Sequence, residues 1–285
     1  LAMVEDVRAV VIKLAERLCH LRLIKNDDEE LKVLAAKETS NIYAPLANRL
    51  GIGQLKWELE DIAFRYLHPD VYKNIAKKLD EKRLDRERYM VDFVDSISIG
   101  LKEAGIKGTV YGRPKHIYSI WKKMQQKSLD FEQLFDVRAV RVVVEKVQDC
   151  YSALGVVHTQ WRHLAKEFSD YVATPKANGY QSLHTALFGP YGVHLEVQIR
   201  SETMHEVSEH GIAAHWQYKQ ENTGADGTPS HVDLRAQEWV KNLLEIQESA
   251  GNSLDFLEYV NFDQFPDVNY VFTPKGDIIT LPSGS

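Results

Sequence analysis

The chain has 285 residues, 44% of them hydrophobic, and a formal charge of −6. That composition fits a soluble globular protein with apolar side chains enough for two domains, and the acidic balance argues against a general nucleic-acid binder, whose affinity rests on phosphate neutralisation. Two cysteines, Cys19 and Cys150, exclude a disulfide framework and fit the reducing cytoplasm, and no apolar run approaches the length of a membrane span.

Residues 1 to about 90 read as helix. Val10, Val11, Leu14, Leu18 and Leu21 recur at helical spacing until Asn26-Asp27-Asp28 breaks the run. A second helix is expected over Leu31 to Leu50, interrupted by Pro45, and a third over Leu55 to Leu67, ended by His68-Pro69. Val71 to Leu101 is charged and amphipathic, consistent with one or two more. From Lys107 the texture turns β-prone. Thr109 to Tyr111 reads as a short strand, and Pro114 suits the first turn of a helix running through Lys115 to Gln126. On that helix Ile117, Ile120, Trp121 and Met124 form a core face, while Lys115, Ser119 and Lys123 share another at i, i+4, i+8. Gly112 to Leu129 holds five Lys or Arg and no acid, which points to a compact anionic ligand, such as a phosphate near a helix start.

Phe135 to Val144 is a strand by its β-branched content and carries Asp136, Arg138 and Arg141. Asp136 and Arg141 have opposite parity, so a shared site requires a bend between them. Gln148 to Gln160 reads as a helix. An ordered loop from Asp170, punctuated by Pro175-Lys176 and Asn178-Gly179, presents Lys176, Asn178 and Tyr180. His194 to Arg200 then alternates: Leu195, Val197 and Ile199 face a core, while His194, Glu196, Gln198 and Arg200 occupy a free face with an acid, an amide and a base. A helix over Thr203 to Lys219, a Gly/Pro-rich linker over Asn222 to Ser230, a helix over Val232 to Ser249 and β texture from Val268 to Leu281 complete the chain.

Two familiar motifs fail. Gly100 to Gly105 has the glycine spacing of a P-loop, but Ile106 stands where the lysine belongs, and His205-Glu206 begins a zinc-protease motif whose fifth residue is Glu209. His205, His210 and His215, five apart, cannot share one helical face.

Four runs together are specific. Gly112-Arg-Pro-Lys-His-Ile-Tyr-Ser-Ile-Trp-Lys-Lys-Met124, Phe135-Asp-Val-Arg-Ala-Val-Arg-Val142, Asn178-Gly-Tyr-Gln-Ser-Leu-His184 and Glu196-Val-Gln-Ile-Arg200 resemble the synthetase domain of the RelA/SpoT family, closest to its monofunctional RelA branch. Val11 to Leu18 and Ile42 to Gly51 resemble the end of the family's hydrolase domain, and Val271 to Asp277 the opening of its TGS domain. The resemblance, with an opening at Leu1, implies a piece of a longer polypeptide. It implies an α/β (α+β) fold: an N-terminal helical region, then a nucleotidyltransferase-like mixed β-sheet flanked by helices. The expected division is a helical remnant of an inactive HD-type hydrolase domain with connecting helices over residues 1–90, the synthetase over 91–221, a linker and helix over 222–266, and the start of TGS over 267–285.

The implied reaction moves the β,γ-pyrophosphoryl group of ATP to the 3′-hydroxyl of GTP or GDP, making (p)ppGpp and AMP. Phosphoryl transfer needs positioning and charge stabilisation, hence a divalent ion and several cations. By resemblance Asp136 and Glu196 are catalytic and bind Mg²⁺, the cofactor. Lys115, Ser119 and Lys123 hold ATP phosphates, and Arg113 and Arg141 clamp the adenine. Tyr180 stacks on guanine, with Lys176, Asn178, His184 and Gln198 at the acceptor nucleotide. Glu167-Phe-Ser-Asp170 corresponds to a specificity loop in which the monofunctional branch is acidic, and Ser169 stands where a second acid belongs; a preference for GTP with weakened Mg²⁺ dependence is expected. Glu16 and His20 replace an Asp and an Asn of the hydrolase pattern, so no hydrolysis is expected. The ribosome with uncharged tRNA is the partner implied for C-terminal domains outside this sequence. The competing reading is a catalytically inactive module that binds nucleotides or the ribosome.

Overall fold

In the computed structural model the described residues are 7–81, 83–131, 138–176, 178–189, 194–211, 213–214, 268–272 and 278–282. None of their helices is long and apolar enough to cross a membrane. Helix α1 (Val7–Leu23) buries Leu14, Leu18 and Leu21, and a 3₁₀ turn over Ile24–Asn26 closes it. Asp27 is extended, and α2 (Glu29–Glu38) starts with Glu29 and Glu30 in its first turn, where carboxylates complement the helix dipole. The helical run expected over Leu31 to Leu50 is interrupted, but before Pro45 rather than at it. The backbone widens into a π turn over Thr39–Tyr43, and α3 (Ala44–Arg49) restarts with Pro45 in its first turn, where a missing N–H breaks no hydrogen bond. Helix α4 (Gly53–Leu67) packs on α1, α2 and α3, then α5 (Pro69–Glu81) and α6 (Arg83–Glu103) follow.

Strands β1 (Gly108–Pro114), β2 (Arg138–Val144), β3 (Ser169–Asp170), β4 (Leu183–Phe188) and β5 (His194–Ser201) form a sheet in the order β1-β2-β5-β4-β3. The β2–β5 pair is parallel and the others antiparallel, so the sheet is mixed. The parallel pair needs a long crossover, which α8 (Val147–Gln160) begins. Residues in register share a face. One row runs Val110, Val142, Ile199, Leu183; the adjacent row runs Tyr111, Arg141, Gln198, His184, Ser169. The first row belongs to an apolar core with Phe93, Ile97 and Leu101 of α6 and Cys150, Ala153 and Val157 of α8. The second faces the opposite way and carries the chemistry. The expected boundary between residues 90 and 91 thus falls inside α6, whose later turns belong to the sheet's core.

Two expectations at the basic window need correction. Pro114 is the last residue of β1, not the first turn of a helix, and α7 (Ile117–Lys127) begins after His116 as its extended N-cap. Lys115 therefore lies in the strand-to-helix turn, off the helix face that carries Ser119 and Lys123. A proline is tolerated at the end of β1 because β1 is the sheet's edge strand, and its missing donor removes no inner ladder bond. The apolar face of α7 is as expected, but it packs Ile120 against Ile75 of α5 and Phe131 rather than on the sheet.

Helix α9 (Glu202–His210) is capped by Ser201, whose hydroxyl accepts from the Met204 N–H, and it breaks at Gly211, after which residues 213–214 are helical again. Gly211 has φ +54, and an added Cβ would strike the Leu50 carbonyl, so only glycine lets the chain pass the α3–α4 corner here. Residues 215–219, the linker and the helix expected over Val232 to Ser249 lie outside the described residues. Pro229–Ser285 belongs to a separate compact unit containing the antiparallel pair β6 (Val268–Phe272) and β7 (Ile278–Pro282).

Candidate active site

Glu196 is the centre of the polar face. Its Oε2 lies 2.6 Å from Lys115 Nζ, its Oε1 accepts from Gln198 Nε2 at 2.8 Å, and His184 Nδ1 approaches to 3.5 Å. Burial alone would raise this carboxyl, but Lys115, His184 and the Gln198 amide together hold it well below the usual carboxylate range. His184 goes the other way: burial pushes it down to about 4, with Arg200, Lys176 and Lys115 opposing the pull of Glu196. The imidazole is therefore neutral at pH 7, and its approach to Glu196 is not an ion pair. Tyr180 Oη lies 2.7 Å from His184 Nε2 and accepts from Arg200 Nη2. The carboxylate facing Nδ1 favours the neutral tautomer with its proton there, which leaves Nε2 to accept from the tyrosine hydroxyl.

Behind Glu196 the cations accumulate. Gln198 Oε1 faces Arg113 at 3.5 Å and both Arg141 and Arg200 at 3.4 Å, so one amide oxygen sits under three guanidinium groups. Glu209 of α9 pairs with Arg141 at 2.6 Å and lies 3.7 Å from Arg200. Burial, then Arg141 and Arg200, push Arg113 down to about 10. The Nε atoms of Arg141 and Arg200 are buried and have no hydrogen-bond partner among the described residues. An orphaned charged donor is costly, commonly more than about 1–3 kcal/mol. A polyanion entering this face would supply the acceptors, and the arrangement fits a phosphate chain better than a neutral ligand.

The free strand face expected at Glu196, Gln198 and Arg200 is not free. Gln198 is 5% exposed and Arg200 is completely buried, its Nη1 donating to Ser208 Oγ at 2.6 Å. Part of the cover comes from α4. Trp57 carries the Arg113 guanidinium 4.0 Å above its ring, and Asp61 Oδ1 accepts from the Tyr118 N–H at 3.0 Å. On the other side Asn178 is anchored to the helical region, its Nδ2 donating to the Asn48 carbonyl at 3.1 Å. The loop is ordered as expected: the Gly179 N–H donates to Lys176 O and the Lys176 N–H to Tyr180 O. Lys176 Nζ caps the Tyr171 ring at 4.5 Å, and Tyr171 stands edge-on to Tyr180 and His184.

With that geometry in view, similarity to known proteins is informative. Residues 112–223 match the model of the region found in RelA / SpoT proteins, and residues 1–53 match an HD domain model. Across its whole length the chain is 59% identical to the GTP pyrophosphokinases of Photobacterium angustum and of Escherichia coli K12, and 44% identical to that of Myxococcus xanthus. The chain belongs to the RelA/SpoT family. It spans 38% of the length of the first two of these relatives and 37% of the third. Among solved structures, the small alarmone synthetase 1 of Bacillus subtilis bound to its product pppGpp is 21% identical, covering 62% of this chain and 96% of that one at a TM-score of 0.38.

The residues implied by the RelA/SpoT resemblance fall into two groups. Arg113, Lys115, Arg141, Glu196, Gln198, Lys176, Tyr180 and His184 are drawn together by the contacts above. Ser119 and Lys123 are half-buried on α7, beyond the turn that carries Lys115. Asp136 lies outside the described residues, and with it the question of its parity with Arg141. In the specificity loop, Ser169 pairs with His184 across β3 and β4, and Glu167 is exposed. Asp170 is a turn former: its Oδ1 accepts from the N–H groups of Val172 and Ala173, and Tyr151 Oη donates to it. Sequence reading missed Trp57 and Tyr171. It met Glu209 only as the residue that spoils a zinc motif, whereas the structure makes it the counter-ion of Arg141.

Proposed function

We propose that this chain is a (p)ppGpp synthetase, transferring the β,γ-pyrophosphoryl group of ATP to the 3′-hydroxyl of GTP or GDP. The observation that carries this reading is the position of Glu196. It touches Lys115, from the residues assigned to the donor, and His184 and Gln198, from those assigned to the acceptor. One carboxylate between two nucleotide sites is what a transfer between them requires.

In this reaction the acceptor 3′-oxygen attacks the β-phosphorus, the bond from that phosphorus to the α,β-bridging oxygen breaks, and AMP leaves with the oxygen. The proton of the 3′-hydroxyl goes to Glu196. A carboxylate held so firmly anionic is a weak base. Lys115 is the largest opposing influence on it after burial, so a triphosphate that draws Lys115 away raises the basicity of Glu196 at the moment a base is needed. Arg113, Arg141 and Arg200 neutralise charge on the donor side. Gln198 holds Glu196 and the arginines in one orientation, and neutral His184, fixed by Tyr180, presents Nδ1–H towards Glu196. Lys176, Asn178 and Tyr180 form the acceptor loop, with Tyr180 available on the ring face away from Arg200.

Mg²⁺ is the cofactor the family implies, and the donor chemistry fits. Glu196 is an ionised carboxylate among cations, and this ion is commonly held by one or two carboxylates plus substrate phosphates. Glu196 and Asp136 would hold it, and it would supply neutralisation of the phosphate charge. Hydrolysis of (p)ppGpp is not proposed: Glu16, in place of the metal-binding Asp, is exposed and pairs with Lys13 at 2.8 Å. The ribosome with uncharged tRNA is proposed only as a partner of domains beyond this chain.

Incubation with ATP, GTP and Mg²⁺, with AMP followed chromatographically, tests the reading. AMP that forms only when the guanine nucleotide is present supports it. ADP and inorganic phosphate as the products would replace it with a simple nucleotidase.

A further inference from the structure

Trp57 lies on α4, outside the segment that matches the RelA/SpoT region. Its ring nevertheless meets the donor side twice. Arg113 stacks on it at 4.0 Å, and the His116 ring lies stacked 6.0 Å away at an interplanar angle of 26°. Arg113 and His116 flank Lys115, so one indole holds both ends of the turn that delivers Lys115 to Glu196.

The placement of Arg113 demands such a support. Two further guanidinium groups share its acceptor, the Gln198 amide oxygen. Like charges at that range repel, which drives an edge-strand arginine towards water. The π face of an indole offers a guanidinium a partner that leaves its N–H edge open for a ligand. The helix beneath is itself fixed: Asp61 accepts from the Tyr118 N–H at 3.0 Å, and Phe64 packs on Trp121 with centroids 4.7 Å apart. Helix α4 is thus tied to α7 on the far side of the same turn.

We propose that Trp57 is a positioning residue of the donor-nucleotide site, setting Arg113 and the Lys115 turn for ATP while leaving the acceptor side unaffected. The inference rests on the function proposed above, because that reading assigns Arg113 and Lys115 to ATP. It makes α4, which begins where the segment matching the HD domain ends, part of the synthetase site.

The test compares Trp57→Met, which keeps apolar volume but removes the π face, with Trp57→Phe, which keeps a ring. Calorimetry measures binding of α,β-methylene ATP, which cannot undergo transfer, and separately of GDP; thermal melts report folding. Trp57→Met is expected to weaken the ATP analogue about 3- to 30-fold, the range of a cation–π contact. GDP affinity should stay within about twofold, and Trp57→Phe should recover most of the loss. In turnover the Met variant should raise the KM for ATP more than it lowers kcat. Tighter ATP binding in Trp57→Met would mean that the indole sequesters Arg113, and equal losses for both nucleotides would mean a general scaffold; either overturns the proposal. Unchanged ATP binding in a folded Met variant also overturns it while leaving the proposed function intact. A wild-type chain that binds neither nucleotide removes both.

Discussion

The two faces of the sheet are built from alternate residues of the same strands, and each holds residues hidden from water. Val140, Val142, Leu195, Val197 and Ile199 are fully buried on one face; Arg200 is fully buried on the other, with Arg141 at 3% and Gln198 at 5% exposed. Burial therefore does not separate core from site. Saturation does. On the apolar face these side chains pack into one hydrophobic cluster with residues of α6 and α8. On the polar face three arginines share one amide oxygen and one carboxylate from α9, and two buried N–H groups remain without a hydrogen-bond partner among the described residues. That residual electrostatic demand is what a phosphate chain would meet.

Neighbouring residues should accordingly fail in different ways. Val197→Asp places an unpaired carboxylate in the dry core, a change expected to cost more than about 4 kcal/mol against a total stability on the order of 5–15 kcal/mol. The cooperative thermal transition should be lost, and a variant that still melts cooperatively near the wild-type temperature would show the core to be wet. One position away, Glu196→Gln should keep the melt and nucleotide binding but lower turnover by about 10²–10⁴-fold. Near-full turnover in that variant would make the carboxylate structural and erase the distinction between the faces.

The pH dependence of stability tests the polar face directly. The folded-state value of His184 is about 4, below its ordinary 6.5. Between those values the unfolded chain binds a proton that the folded chain does not, so stability falls as pH drops from 6.5 towards 4. The loss should be roughly 2–4 kcal/mol at its fullest. Glu196, held low, acts in the same direction once pH falls below 4.5. Denaturation midpoints of wild type and His184→Asn across pH 4–7 measure it; parallel curves for the two proteins would show that His184 does not titrate as described.

Tyr180→Ala should weaken guanine nucleotides by roughly 1–3 kcal/mol, the scale of aromatic–base stacking, and ATP by less. Because Tyr180 also joins Arg200 to His184, Tyr180→Phe separates the two uses: the ring alone should retain most of the guanine affinity. Equal losses for ATP and GDP in the alanine variant would indicate collapse of the polar face as a whole. The smallest effect is expected at Ser169. Opposite His184 in the β3–β4 pair, a carboxylate from Ser169→Asp joins the polar face, raising the His184 pKa and steepening the Mg²⁺ dependence by on the order of a kcal/mol. Superimposable Mg²⁺ titrations of variant and wild type would reduce the specificity loop to a spectator.

Much of this was legible in the sequence because it is periodic or local. The alternation around Glu196 placed Leu195, Val197 and Ile199 in the core, and the helical spacing of Ile117, Ile120, Trp121 and Met124 gave the buried face of α7. The Asn-Gly turn was an equally local signal. What escaped depends on contacts distant in sequence. Arg200 has the pattern of a solvated strand residue, and its burial comes from Ser208, Glu209 and Tyr180 closing over it. Trp57 lies 56 positions before Arg113, and no periodicity relates them. Pro114 misled because its fixed φ suits a helix start and an edge-strand end alike; the pairing with Arg138 decides between them. Asp170 was met only as part of the specificity loop, and its bonds to two backbone N–H groups and Tyr151 add a local turn-forming use.

The central claim is that Glu196 sits between a donor and an acceptor site that exchange a pyrophosphoryl group. The most direct measurement follows ATP labelled at the γ-phosphorus in the presence of GTP and Mg²⁺, with wild type and Glu196→Gln side by side. The wild-type chain should move the label onto the 3′ position of the guanine nucleotide with one AMP released per transfer, and the variant should bind both nucleotides yet move the label on the order of 10² to 10⁴ times more slowly. Label recovered as free phosphate or pyrophosphate, or transferred equally fast by the variant, would contradict the account.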